Sequence, residues 1–590
     1  MGSFVNLAAA LEVIPGRRLL LREGLGRYPS PMVEALQNPV RSPVQEAVSR
    51  AQVGARRLGS MSLVQRIVLI DDLRRGIGAE AEAWVRTSCE SKGIDPDSNL
   101  AAEEWLNGPM SVLRNLRLLR RTLLGLAGKG TPLPTQDRNG CKTLSVLPRS
   151  LEDRVLFLGF RAGVWFEPGV EVAETRPDAK TLLDREPGVA ALLSAGNVTS
   201  IGPQDFIHLL FSRNRACVLK AHPVNEVLVP HLERAFQAAM DLDLLQIVVG
   251  GAQVGAELVS QEAVDEVHIT GSAATYDAIV WGSGDQQESN RAANTPRLQK
   301  PISAELGCVT PVIVTPGVWS PKELRFQAEN VATMLTNNAS FNCVAAKVLV
   351  TSSDWPQREE FLDALAEVLA QIPTRRAYYP GAVERHASFC AAFPQAKLIG
   401  QGNENNLPWA LATGLDPEAT DSAAFTQEAW CGVLAETALP GASPKDFLPR
   451  AVDFCNGRLF GSLSCTLIID PRSAQAYSLS YEAALTDLRY GSIAVNHWSG
   501  LSYGMGVVPW GAHPGHTPRD IQSGVGFVHN TLLLEGVEKS VLEGPFMPPF
   551  KPLWFASHKN ALKAARALTR YEEQPGLGSF LSVLSAGLRG

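Results

Sequence analysis

Between residues 185 and 315 short apolar runs alternate with helical stretches, and this alternation restricts the possible folds more than any other feature of the chain. The runs GVAALLSAGN, RACVLKAHP, LLQIVVGG, VDEVHITGS and PVIVTPG are short and nearly continuous in apolar residues, as strands covered on both faces are. HLERAFQAAMDL, between two of them, has helical spacing. Strands alternating with helices give a parallel sheet in an α/β domain, and such sheets take ligands at the carboxyl ends of their strands. A second alternating set begins with CVAAKVLVT (343–351), passes through EEFLDALAEVLAQI and includes SLSCTLIID and GSIAVNHW. Two α/β lobes are therefore expected.

Residues 44–128 read as helices with apolar residues at three- and four-residue steps, ended by Gly128, Gly130 and Pro132. RVLFLGFRAGVWFEPGVEVAETRP (154–177), rich in Val, Phe and Trp between turn residues, predicts a strand pair. The end, HKNALKAARALTRYEEQPGLGSFLSVLSAGLRG, predicts a helical tail with a Pro-Gly break. Lysine and arginine number 54 against 60 aspartate and glutamate, so nothing general draws the chain to nucleic acid. Nine cysteines, an odd set without a CxxC pair, point to a reducing compartment and to no metal site. MGSFVNLAAALEVIPGRR lacks a signal peptide's basic and apolar regions, and no run approaches the roughly 20 apolar residues of a membrane span. The expectation is a soluble cytoplasmic protein.

No G-x-G-x-x-G follows a predicted strand, and no GxxxxGK[ST] loop occurs. ITGSAATYDAIVW (269–281) offers another anion site: a strand ending at Thr270 and Gly271, with Ser272 starting a helix whose free N–H groups carry the positive end of its dipole. Cys343 stands between a predicted helix and an apolar strand. Glu305 lies in an apolar setting just before a strand, and Asn197 in a turn. Singly, each has an ordinary structural explanation.

In order, however, Asn197, Lys220, Ser272, Glu305, Cys343 and Glu428 form a series that resembles the aldehyde dehydrogenase superfamily over roughly residues 45–530. VDEVHITGS resembles the family's Val-Asp-x-Val-x-Phe-Thr-Gly-Ser. AELG matches its Glu-Leu-Gly, and NASFNCVA its Asn-x-Gly-Gln-x-Cys-x-Ala, with Asn338 five before and Ala345 two after Cys343. The resemblance implies Cys343 as nucleophile, Glu305 as general base and Asn197 as oxyanion donor. It also implies an NAD or NADP cofactor, with Lys220 and Glu428 at its riboses, Gly271 and Ser272 at its pyrophosphate, and Trp430 beside it. Trp430, Trp498 and Trp510 lie in segments similar to the family's active-site and carboxyl-terminal loops, where an aromatic tunnel would favour apolar aldehydes.

Four departures stand out: Ala195 and Gly196 where the family has Pro-Trp before the asparagine; Pro223 where it has an acid three after the lysine, Glu226 lying further on; Tyr276 for the phosphate helix's second glycine; and Glu428-Ala-Trp-Cys-Gly-Val for Glu-x-Phe-Gly-Pro-Val. Without a carboxylate at 223 nothing there repels a 2′-phosphate. The implied reaction is oxidation of an aldehyde to its carboxylic acid; the competing readings are an acylating, coenzyme A-dependent enzyme and a non-catalytic scaffold. The implied architecture is α/β and aldehyde dehydrogenase-like. Its parts are a helical region over 1–148, an oligomerisation strand pair over 149–184 and a Rossmann-like cofactor domain over 185–306. An α/β catalytic domain over 307–495 follows, then a return segment with an oligomerisation strand over 496–549 and a tail over 550–590. FVHNTLLLEGVEKSVL (527–542) is expected as an intersubunit strand of a homodimer or homotetramer. Docking of the tail on its own domain is preferred to its covering a neighbour's tunnel.

Overall fold

The computed structural model describes residues 41–128, 135–172 and 175–588. The chain divides into Met1–Pro43 and Val44–Gly590, and the fold below is that of the second unit. The amino-terminal stretch examined for a signal, and the breakers Gly130 and Pro132, lie outside the described residues.

The helical region forms as the periodicity predicts. Leu63–Lys92 opens on a capping box, with Ser62 and Gln65 satisfying each other's free N–H groups, and stops at Gly93 in the left-handed conformation, φ 69°. Its apolar stripe (Ile70, Leu73, Ile77, Trp84) packs with Leu113, Leu116 and Leu123 of Ser111–Ala127 against Phe206 and Leu219 of the first lobe.

That lobe carries a six-stranded sheet in the order Gly524–Val525, Ile302–Glu305, Glu266–Thr270, Gly188–Leu193, Arg215–Lys220, Leu245–Val248. All neighbours are parallel except the edge strand Gly524–Val525. Every residue of Gly188–Leu193 and of Glu266–Thr270 is buried, as nearly continuous apolar runs require. Five carboxyl ends thereby reach one side of the sheet: Leu193, Lys220, Val248, Thr270 and Glu305.

The second lobe is built on an 11-stranded sheet. Its parallel centre, Ser492–Val495, Ser464–Ile468, Pro311–Val314, Val348–Ser352 and Val433–Leu439, continues on one side through Trp409–Leu415 to Lys397–Ile399. On the other side Val537–Glu543, Arg161–Phe166, Cys141–Leu147 and Thr135–Arg138 follow.

Two expectations are corrected here. Residues 154–177 are not a strand pair: Ser150 and Asp153 form a capping box that starts a helix, Leu151–Leu156, and the segment contributes one strand, Arg161–Phe166, whose partners are Cys141–Leu147 and Val537–Glu543. A capping signature lay ahead of apolar residues that composition alone assigned to a strand. The 527–542 segment does not present an intersubunit strand either. Val537–Glu543 is parallel to Ser492–Val495 on one side and antiparallel to Arg161–Phe166 on the other, so both its edges are used within the chain.

The tail forms two helices, Ala561–Glu573 and Leu577–Gly587, broken across the Pro-Gly pair. It docks on its own chain through Glu572, whose fully buried carboxylate accepts from Arg114 at 2.7 Å and from Arg117 at 2.5 Å. All nine cysteines are free thiols, and among the described residues no helix is long and apolar enough to cross a membrane. Glu572→Leu leaves Arg114 buried without its counter-charge and should lower the free energy of unfolding by about 3–5 kcal/mol; an unchanged denaturation midpoint would show that this ion pair does not hold the tail.

Candidate active site

One cavity of about 1270 Å³ is lined by all eight residues singled out in the sequence: Asn197, Lys220, Gly271, Ser272, Glu305, Cys343, Glu428 and Trp430. It lies at the carboxyl ends of the first lobe's parallel strands and extends to the loop before Val348–Ser352 of the second.

At its inner end the Cys343 thiol donates to Glu305 Oε1 over 3.6 Å. Glu305 is the last residue of Ile302–Glu305, 4 % exposed, and Oε2 has no partner. Burial, and then the nearby Asp205, raise its carboxyl above the ordinary range. Burial followed by Glu305 and Glu428 pushes the Cys343 thiol well above its usual value. The thiol is therefore neutral until a base removes its proton.

Asn197 follows Gly188–Leu193. Its Nδ2 donates to Phe341 O at 3.2 Å, which leaves the second amide hydrogen free. The Asn197 carbonyl is held by three donors: Asn338 Nδ2 at 2.9 Å, Lys92 Nζ at 3.1 Å and Tyr378 OH at 3.2 Å. Lys92 is also paired with Glu104 at 2.8 Å, both buried, and Lys92 and Tyr378 both donate to Asn338 Oδ1. Asn338, Ala339 and Ser340 all have positive φ (51°, 54° and 69°), an unusual backbone for residues with a Cβ. Buried Lys347 pins its end by donating to Ser340 O and Oγ, each at 3.1 Å.

The outer part is formed by two helix starts. Gly251 precedes Ala252–Ser260 and Ser272 precedes Ala273–Trp281. Ser272 Oγ accepts from Thr275 N–H at 3.2 Å and so caps its own helix, leaving other first-turn N–H groups to meet an anion. Lys220 ends its strand nine-tenths buried, and no hydrogen bond engages its ammonium among the described residues. Among the described residues the carboxylates lining the cavity are Glu305 and Glu428. Glu226, beyond Pro223, is not on its wall; Glu226 Oε1 accepts the Gly250 N–H at 2.9 Å. Glu428 packs against Gly307, where a Cβ would come within 2.4 Å of its Oε2. Burial raises it to about 7, with Lys347 opposing.

The remaining departures have local causes. A Cβ at Gly196 would lie 2.2 Å from His222 Nδ1, so a larger residue is excluded by the His222 ring, itself stacked on Tyr379 at 5.5 Å. Tyr276, 1 % exposed, points into the core with Trp281 and Ile269 and does not reshape the cavity. Of the three tryptophans considered for a tunnel only Trp430 lines the cavity, its ring edge-on to Tyr379 at 5.5 Å. Trp498 and Trp510 are buried packing residues, Trp498 donating to Val344 O at 2.7 Å. Sequence reasoning missed Lys92, Glu104, Tyr378 and the His222–Tyr379 stack. The available signal was a lysine on the buried side of an amphipathic helix, immediately before its terminating glycine.

A model of the aldehyde dehydrogenase family matches residues 141–385, which include every candidate except Glu428 and Trp430. No curated protein matches the chain by sequence. Among solved structures it is similar to the NADP-dependent glyceraldehyde-3-phosphate dehydrogenase of Bacillus halodurans C-125, solved with NADP, at 15 % identity, covering 85 % of this chain and 90 % of that one with a TM-score of 0.57. The NAD-dependent aldehyde dehydrogenase of Sinorhizobium meliloti matches at 18 % identity over 86 % and 88 %, TM-score 0.56. The glyceraldehyde-3-phosphate dehydrogenase of Methanocaldococcus jannaschii DSM 2661, also solved with NADP, matches at 13 % over 86 % and 96 %, TM-score 0.57. Residues 141–385 thus match the aldehyde dehydrogenase family's model, the ordered motifs meet in one cavity, and the chain shares the fold of these solved structures.

Proposed function

We propose that this protein oxidises an aldehyde to its carboxylic acid, with a nicotinamide dinucleotide as hydride acceptor and NADP favoured over NAD. The observation that carries this reading is the thiol and the carboxyl 3.6 Å apart at the closed end of a cavity whose outer wall is two helix starts. The cavity suits a dinucleotide: helix amino termini can meet its phosphates, and Lys220 and Arg297 line the wall, while Glu226, near enough to act on Lys220, stands off the wall on the Gly250 N–H. When bound, the dinucleotide accepts the hydride that leaves the aldehyde carbon.

The chain's own residues supply the rest. Glu305 Oε1 takes the Cys343 proton, and the thiolate adds to the aldehyde carbon, raising its electron density so that hydride can leave. The oxyanion of this thiohemiacetal is held by the free Asn197 amide hydrogen and the Cys343 N–H. Loss of hydride leaves a thioester on Cys343. Glu305, having shed its first proton, takes a second from water as the water oxygen adds to the acyl carbon; the Cys343 thiolate departs and the acid is released. The Tyr379–Trp430 edge contact gives the wall an apolar aromatic surface, which favours apolar aldehydes. The unpaired thiols support a reducing compartment.

Cys343→Ala should abolish aldehyde-dependent formation of reduced dinucleotide; persistent turnover would sink the assignment. Glu305→Gln should lower kcat by about 10²–10⁴, with acid as the wild-type product whether or not coenzyme A is present. A coenzyme A thioester in that assay would favour the acylating reaction instead. Because burial raises Glu305, it ionises at a higher pH than an ordinary carboxylate, and kcat should rise with pH through a step above the ordinary carboxylate range. Lys220→Ala should raise KM for NADP more than for NAD, and equal effects on both would remove the basis for an NADP preference.

A further inference from the structure

Behind Glu305 lies a buried group of ionisable residues that the reaction above does not use. Asp205, fully buried on Ile201–Ser212, accepts from Thr270 Oγ1 at 2.9 Å through Oδ2, and its Oδ1 is 3.0 Å from His529 Nε2. His268 Nε2 lies 3.6 Å from Asp205 Oδ2 and 3.3 Å from Thr270 Oγ1, while its Nδ1 meets Ser303 Oγ at 2.8 Å.

The strand register connects this group to the active site. Glu266–Thr270 and Ile302–Glu305 are parallel neighbours, with His268 opposite Ser303 and Thr270 opposite Glu305. The His268–Ser303 bond fixes which face is shared. Two residues further along, on that same face, Thr270 stands beside Glu305. Glu305 and Asp205 are thus two carboxylates in one dry region, with imidazoles placed against the second.

A purely structural polar network satisfies its members, but this one does not. His529 Nδ1 is buried without a partner. His529 also holds a left-handed backbone, φ 55°, uncommon for a residue with a Cβ, while its ring is aimed at Asp205. Burial opposes charge on His268, but Asp205 outweighs it and favours the imidazolium; burial likewise opposes the Asp205 carboxylate, which the two histidines keep ionised. The other titratable groups facing this region are His208, on Asp205's own helix and lowered by burial to about 3; Glu266, paired with Arg213 and Arg215; Tyr503, whose OH meets Ser200 Oγ at 2.8 Å and whose ring is 4.9 Å from His529; and Cys343 across Glu305.

We propose that Asp205, His268 and His529 form a positioning cluster coupled to Glu305 across the strand pair, and that its protonated imidazole sets the pH at which Glu305 becomes available as a base. The inference rests on the assignment of Glu305 in the proposed reaction. Glu305 accepts a proton twice in each turnover, so the pH at which it ionises governs both halves of the cycle. A cation beside it favours the carboxylate; removing that cation makes Glu305 harder to ionise.

The test is the pH profile of kcat for the full chain with an aldehyde and NADP. His268→Gln and His529→Gln should each move the acid limb to higher pH, by about one unit, with a smaller loss on the alkaline side and unchanged NADPH binding followed by fluorescence. An acid limb that stays in place, with kcat unchanged or scaled uniformly at every pH, overturns the proposal. Failure of both variants to fold, seen by circular dichroism, also overturns it, because the cluster is then only part of the core; if one folds, its profile decides. Glu305→Gln separates the two levels: if that variant keeps full turnover, the base assignment fails; if it loses turnover while the histidine variants leave the limb unmoved, only this inference fails.

Discussion

The geometry of the cavity depends on one carbonyl. Asn197 O receives Asn338 Nδ2, Lys92 Nζ and Tyr378 OH, and these donors come from three places: the loop before Cys343, the end of the helix Leu63–Lys92, and a segment after Arg358–Gln371. A single acceptor therefore fixes Asn197 of one lobe, the proposed oxyanion donor, against the loop of the other that carries Cys343. That loop needs such fixing. Left-handed backbone costs an L-residue roughly 1–2 kcal/mol, and three successive residues, Asn338 to Ser340, have positive φ. Lys92 and Lys347 hold the two ends of the run with hydrogen bonds from buried ammonium groups, interactions stronger than neutral ones. The Lys92–Glu104 pair keeps the first of these charges compensated.

The same dryness that strengthens these bonds governs the chemistry. Cys343, Glu305 and Glu428 are all raised, and each ionised carboxylate raises the thiol further. A thiol so disfavoured from ionising does not idle as a thiolate. In the proposed reaction it is activated by proton transfer to the carboxyl it touches, which couples formation of the nucleophile to the state of Glu305. Lys347, buried and lowered, supplies the opposing charge nearest Glu428. The site's ionisation is thus collective, and any group that changes the charge behind Glu305 changes the nucleophile as well.

The first lobe was legible in the sequence because buried parallel strands leave an unmixed apolar signal: GVAALL, RACVLK and VDEVHIT fall on observed strands. The site was legible because its residues sit at strand ends and helix starts, where order along the chain converts directly into proximity in space; all eight reach one cavity. What sequence could not carry was side-chain direction. Tyr276 occupies a position next to the helix start yet turns into the core, and Trp498 and Trp510 serve packing, because residues on one helix or loop differ in facing and not in type. The Lys92–Asn338 and Asn338–Tyr378 contacts join positions 246 and 40 residues apart, and no local pattern records them. The cluster around Asp205 escaped for the same reason, its histidines coming from a strand and from a distant loop.

Sheet pairing was the largest failure of local reading, and it bears on how copies of the chain could meet. Alternation in 527–542 is compatible with any partner strand; only the assembled sheet shows Val537–Glu543 enclosed between Arg161–Phe166 and Ser492–Val495. The outermost strands of the 11-stranded sheet are Thr135–Arg138, exposed and bearing Asp137 and Arg138, and the three-residue Lys397–Ile399, which begins with an exposed lysine. Charge and shortness are features that discourage edge-to-edge addition. Strand pairing through this sheet would use one of these two edges or displace a strand already bonded on both sides, while the six-stranded sheet keeps edges of its own at Gly524–Val525 and Leu245–Val248.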